Sequence, residues 1–202
     1  VSAKDPTPAF ASATLDLAVI GPGDTFGRIF RAAFPDPLGY SKGRSRFSDP
    51  RRRVEAKRFG VLYLGSSLKV CFLEAVLRDD RDGAVGNYLM DETELDTRRY
   101  AEVEVREELK LIDLRGDGPV RMGVPSDVSR GSKQTLARKW SVAFHDHPEQ
   151  VDGIIYGSRL NGETNLAIYD RAVSKLRASR VHVLRRTPEL ATTLDDLAVA
   201  LI

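Results

Sequence analysis

A single cysteine, Cys71, in 202 residues excludes an intramolecular disulfide and any metal site built from several cysteines. A chain of this size without disulfides reads as a protein of a reducing compartment, so a cytoplasmic setting is expected. No apolar run approaches the roughly 18 residues that a membrane span needs. The first residues lack the basic-then-apolar order of a signal peptide. There is no G-x-x-x-x-G-K-[ST] segment, which argues against a P-loop NTPase, and no G-x-G-x-x-G after a strand, which removes the usual dinucleotide signature. The pattern G-x-S-x-G is missing too: Ser158 stands in "YGSRL", which does not support a nucleophile elbow. His145 and His147, in "HDH", have no third ligand nearby and read as ordinary loop residues, so no metal is expected. Internal repeats, linkers and heptads are absent.

What is present is a chain long enough to bury a real core, with 42% apolar and 30% charged residues. The net charge is only +2, but it is unevenly placed. Between Lys42 and Arg58 stand eight basic residues (Lys42, Arg44, Arg46, Arg51, Arg52, Arg53, Lys57, Arg58) against Asp49 and Glu55. That local balance of +6 leaves −4 for the rest, and such a block attracts phosphate. It also leaves open a nucleic-acid-binding module using segment 42–58, although only Phe47 and Phe59 interleave with the charges. A solvated loop is the third reading.

The pattern along the chain predicts an N-terminal arm over 1–22, with a turn of helix at Leu15 to Ile20, and one domain over 23–202. "TFGRIFRAAF" and "GVLYLG" read as strands, the second bounded by glycines. From Ser66, Val70, Leu73, Val76 and Leu77 recur at helical spacing. Asp79 to Thr97 is acidic and reads as a mobile excursion. "YAEVEV" and "LKLIDL" are strands, and "SKQTLARKWSVAF" is an amphipathic helix with Leu136, Trp140, Ala143 and Phe144 on one side. "DGIIYGSRLNGETNLAIYD" is a hairpin whose Asn161-Gly162 predicts a type I′ turn. "RVHVLRR" is a last strand, and Thr192 to Ile202 a closing helix or tail. Without regular βαβ alternation, the fold class expected is α+β: a single compact domain with a mainly antiparallel central sheet and flanking helices.

Five polar residues stand out along the chain. Glu74 lies in "VCFLEAVL", with apolar Val70 and Leu77 as helical neighbours, so its carboxylate is expected to leave water in part and to need a use or a partner such as Arg78. Arg28, in a short apolar strand, is placed to grip a carboxylate or phosphate through its planar fork. Arg46 in "GRSRFSDP" is a second candidate for that task. Tyr63 and Ser158 end the set, one in a core strand and one at the end of a buried strand. Arg159 is expected on the opposite side of the extended strand, outside the site.

In order, "GDTFGRIF … PLGY … GRSRFSDP … GVLYLGSS … FLEAVLRD … DGIIYGSRLNG" resembles the RES domain, from about Gly23 to Val183. The family comprises toxins of a bacterial toxin–antitoxin class named for an Arg, a Glu and a Ser. The resemblance implies a fold similar to the ADP-ribosyltransferase toxins and consumption of NAD⁺ as substrate. The acceptor is phosphate or water in some members and a protein, as mono-ADP-ribosylation, in others. It also implies a cognate Xre-like antitoxin that covers the active site and alone touches DNA. The family positions fall on Arg28, Tyr63, Glu74 and Ser158, with Arg46 as a further one; choosing Arg28 over Arg31 rests on the setting "FGRIF". By that resemblance Glu74, Arg28 and Ser158 are the catalytic set. Arg28, Arg46, Tyr63 and Ser158 are the NAD⁺-binding set.

Overall fold

A computed structural model describes residues 4–51, 54, 57–78 and 80–202. Its strands are β1 (Leu17–Ile20), β2 (Thr25–Arg31), β3 (Val61–Gly65), β4 (Tyr88–Met90), β5 (Arg98–Val105), β6 (Leu109–Asp113), β7 (Gly153–Gly157), β8 (Thr164–Tyr169), β9 (Leu176–Val183) and β10 (Val199–Leu201). The α-helices are α1 (Leu68–Phe72), α2 (Thr93–Asp96), α3 (Gly118–Arg121), α4 (Asp127–Arg130), α5 (Thr135–His145) and α6 (Leu190–Asp196).

Eight strands form one sheet in the order β1-β6-β7-β8-β3-β2-β5-β9, antiparallel except between β6 and β7. This is the mainly antiparallel α+β arrangement the sequence implied. The alternation of each strand sorts its side chains between two cores. Val61, Ile154, Tyr156, Ala167 and Tyr169, with Tyr63 packed alongside, face α5 and meet Trp140 and Phe144. Leu62, Leu64, Ile155, Leu166 and Ile168 face the other way and join Ala101, Val103 and Val105 of β5. A third core under α1 and α6 collects Phe72, Leu77, Leu95 and Leu194.

Several local expectations are corrected. Leu17–Ile20 is not helical but an edge strand paired antiparallel with β6, Leu17 opposite Ile112. Four apolar residues carry no period that separates helix from strand; the ladder of β6 decides. The segment expected as an arm also carries Phe10, 6% exposed, whose ring meets Trp140 edge-on at 5.0 Å. The acidic stretch 79–97 was expected to be a mobile excursion. It holds β4, which pairs in parallel with β10, and α2, which buries Leu95; Asp79 lies outside the described residues. The hairpin turn is not the two-residue type I′: β7 and β8 close at Gly157 opposite Thr164, and at the turn only Gly162 takes a positive φ, 78°. Asn161 instead accepts a bond from the Glu163 N–H at 3.1 Å.

Candidate active site

Residues 156, 165, 65 and 27 form a row across the sheet: Tyr156 opposite Asn165, Asn165 opposite Gly65, and Gly65 opposite Gly27. Both glycines lie under closely packed neighbours: a Cβ at Gly27 would stand 2.5 Å from the Tyr100 hydroxyl. A Cβ at Gly65 would stand 2.6 Å from Val70 Cγ1 and 2.8 Å from Cys71 Sγ, so only glycine lets α1 lie this close to β3. Ser67 caps α1, its Oγ accepting from the Val70 N–H at 3.1 Å.

After Phe72 the helix widens into a π turn over Leu73–Leu77, closed by the Arg78 N–H bonding to Leu73 O at 2.7 Å. Such turns occur mostly as single-turn insertions in α-helices, frequently at functional sites. In this turn Glu74 reaches Ser158 and Asn165, at the ends of two sheet strands, instead of joining the apolar stripe. Arg78 ends it at φ 47°, a conformation rare for a residue with a side chain.

Glu74 Oε1 accepts two bonds, from Ser158 Oγ at 2.8 Å and from Asn165 Nδ2 at 3.1 Å. Both donors are buried, whereas Glu74 itself is exposed at the mouth of a cleft. The expectations that Glu74 withdraws from water and pairs with Arg78 are thus corrected: it is fixed by neutral donors through one oxygen, and Oε2 has no donor among the described residues. Ser158 is held in turn by its N–H bond to Glu163 O at 2.7 Å, and its Oγ also accepts from the Leu160 N–H at 3.1 Å.

The cleft has a volume of about 480 Å³. Among the described residues, Arg28, Arg44, Arg46, Arg78 and Arg159 line it, with Glu74 as the one carboxylate. Tyr63 and Tyr156 form part of its wall. Tyr63 spends its hydroxyl on the loop opposite, bonding Ser45 Oγ and accepting from the Phe47 N–H, each at 2.9 Å. Burial pushes its phenol up, as it does more strongly for Tyr156. Arg28 donates from Nη1 to Pro37 O and from Nη2 to Gly39 O, each at 2.5 Å. Burial lowers its pKa to about 10, which leaves the guanidinium charged at neutral pH. Arg46 donates to Gly131 O at 2.7 Å.

The sequence therefore named four residues the fold brings to one cleft, Arg28, Arg46, Tyr63 and Glu74, with Ser158 beneath Glu74. It left Arg159 out on the assumption of continued strand alternation. β7 ends at Gly157, the chain turns at Arg159, and that side chain lines the cleft. Asn165 was missed; a polar residue in the otherwise apolar strand "TNLAIY" was the available signal. The basic block 42–58 is divided: Arg44 and Arg46 face the cleft, while Arg51 pairs with Asp49 and Asp146. Arg52, Arg53 and Glu55 lie outside the described residues.

The fold and the cleft define a compact α+β protein with one carboxylate facing a cationic wall, a site suited to an anionic substrate. Residues 24–195 match the RES domain family model, and the chain belongs to the RES domain family. A relative, "Probable toxin y4kH" of Sinorhizobium fredii (strain NBRC 101917 / NGR234), is 40% identical over 127 residues, 62% of this chain and all of the relative. In structure the chain is similar to a chain of the crystallised MbcT-MbcA toxin-antitoxin complex of M. tuberculosis. The TM-score is 0.61 at 19% identity, over 89% of this chain and 91% of the other. Among the described residues no helix is long and apolar enough to cross a membrane.

Proposed function

We propose that this protein is the toxin of a toxin–antitoxin pair and that it consumes NAD⁺, breaking the nicotinamide–ribose bond and passing ADP-ribose to phosphate or water. The observation that carries this reading is Glu74, held through Oε1 by Ser158 and Asn165 at the mouth of a cleft lined by five arginines. When the glycosidic bond breaks, its electron pair leaves with nicotinamide, and positive charge develops on the ribose. A carboxylate fixed in place before the reaction stabilises that charge without reorganising. The arginine wall suits the diphosphate, and Tyr63 and Tyr156 offer flat surfaces to the nicotinamide ring.

Ser158 acts in this scheme by orienting Glu74. Its hydroxyl donates to a carboxylate, and no histidine lies among the residues lining the cleft to take its proton. The division of the basic block between the cleft and surface ion pairs favours a nucleotide site over a continuous nucleic-acid surface. The two relatives, one named a probable toxin and one solved with an antitoxin, support a proteinaceous antitoxin as partner. In this proposal its DNA-binding part is the sole link to DNA.

The decisive experiment incubates purified protein with NAD⁺, with and without phosphate and a cell extract, and separates the products by mass. Nicotinamide release is expected, and Glu74→Gln should lower it by about 100- to 1,000-fold. ADP-ribose phosphate identifies phosphate as acceptor, free ADP-ribose identifies water, and label fixed on a protein points to a transferase. A Glu74→Gln variant with full activity would refute the mechanism.

A further inference from the structure

Three tyrosines share one face of the central sheet: Tyr63 on β3, Tyr156 on β7 and Tyr169 on β8. A buried phenol hydroxyl ordinarily finds a partner. Two of the three do. Tyr63 bonds Ser45 Oγ and the Phe47 N–H, and the Tyr169 hydroxyl donates to Ser141 O at 3.1 Å. The Tyr156 hydroxyl has no hydrogen bond among the described residues, although the residue is only 5% exposed. That oxygen is not sealed in. Among the described residues, the sealed side-chain nitrogen and oxygen atoms without a bond are Arg98 Nε and His147 Nε2, so the Tyr156 hydroxyl keeps access to open space. The open space that Tyr156 borders is the cleft.

The ladder puts Tyr156 beside the carboxylate. It stands directly opposite Asn165, where facing Cβ atoms are about 4.5–5.5 Å apart, and Asn165 donates to Glu74 Oε1. The surroundings are largely apolar: the Phe47 ring meets Tyr156 edge-on at 5.0 Å, and Val61 and Tyr63 line the same cleft. Burial is the first cause of a phenol pKa raised well above its ordinary value, so at neutral pH the group is an O–H donor. Phosphate oxygens have five arginines in the same cleft. A single uncharged donor on an apolar wall matches another ligand feature, an uncharged oxygen carried on an aromatic ring.

We propose that the Tyr156 hydroxyl donates a hydrogen bond to the carboxamide oxygen of the nicotinamide ring and so selects a leaving group that carries a carbonyl. The contact deepens the reading of the cleft as an NAD⁺ site and rests on it for the identity of the ring. It gives Tyr156 a polar task in addition to its flat surface. A site built to bond an oxygen rejects the analogue that lacks it, because the donor is then left unpaired.

Binding is tested apart from catalysis, by titrating two ligands into wild type and Tyr156→Phe under ligand-observed NMR. One is nicotinamide; the other is 3-methylpyridine, which keeps the ring and lacks the oxygen. Tyr156→Phe should weaken nicotinamide by about three- to tenfold, as the loss of one neutral hydrogen bond does, and leave 3-methylpyridine unchanged. Without ligand the variant should melt no lower than wild type, because it removes no bond made within the protein. Tyr169→Phe, which loses the bond to Ser141, should melt lower and serves as the structural control. A Tm lowered in Tyr156→Phe as in that control would reveal a structural partner and overturn the proposal. Equal weakening of both ligands, an unchanged nicotinamide affinity, or no binding of nicotinamide to wild type also overturns it. Nicotinamide release from NAD⁺ by wild type is scored separately. Release with a nicotinamide affinity independent of Tyr156 sinks the contact alone, and a Tyr156-dependent affinity without release sinks the cleavage reading alone.

Discussion

At the scale of single residues, the site is a problem of holding one carboxylate still. Glu74 Oε1 takes both neutral donors, so removing either should loosen the group without deleting its charge. Ser158→Ala and Asn165→Ala are expected to lower kcat about ten- to a hundredfold with little change in KM, because a bond to a charged acceptor contributes about 1.5–3 kcal/mol. Steady-state kinetics on NAD⁺ would check this; an effect confined to KM would contradict an orienting role. A second residue-level expectation concerns acid. Burial would raise the Asp49 carboxyl, but side-chain and backbone bonds from Arg51, with its charge, outweigh that and hold it below the ordinary value of 3.8. A depressed carboxylate stabilises the fold above its unfolded pKa and ceases to do so as pH falls through the folded value. Asp49→Asn should therefore be less stable than wild type at pH 7, and the gap should close below about pH 4, read by denaturant unfolding across pH.

At the scale of elements, the approach of α1 to β3 sets where Glu74 arrives. Gly65→Ala would put a methyl group within 3 Å of Val70 and Cys71. It should destabilise by about 1–3 kcal/mol, as overpacked cores do, and lower NAD⁺ turnover although no reacting group is lost. Chemical denaturation paired with kinetics on the folded fraction separates the two effects. The π turn was illegible in advance. Val70, Leu73, Val76 and Leu77 announced a helix, but the extra residue per turn shows in no composition or period. It falls where the chain joins a helix capped by Ser67 to a carboxylate held by Ser158 and Asn165. The hairpin of β7 and β8 formed, but its expected type I′ turn failed for a related reason. Asn161-Gly162 carries a local turn preference, yet Ser158, Glu163 and their cross-bonds to Glu74 and to the backbone fix a longer loop.

At the scale of the molecule, the N-terminal segment is part of the body. Phe10 packs on Trp140 and Phe144, the Trp140 indole N–H donates to Lys4 O at 3.1 Å, and β1 closes one edge of the sheet. Phe10→Ala should cost about 3–5 kcal/mol, the usual loss for a buried aromatic, and thermal unfolding would report it as a lowered Tm. A truly detached arm would leave Tm unchanged. The segment escaped the sequence reading because two prolines and small residues mark a loop locally, while its partner α5 lies more than a hundred residues away.

By itself the sequence determined the strands with clear alternation, the amphipathic α5 and the mixed, mainly antiparallel class, because a period of two or 3.6 is a local property that burial enforces. Through the resemblance of its ordered motifs to the RES domain, it also singled out Arg28, Arg46, Tyr63, Glu74 and Ser158 as the candidate set. Only the tertiary structure decided what each of them touches. The row from Tyr156 to Gly27, the bonds that hold Glu74, and the entry of Asn165 and Arg159 all arise from segments distant in sequence meeting at the sheet. Those contacts depend on register and on the strand's exact end, and neither is written in any short stretch of the chain.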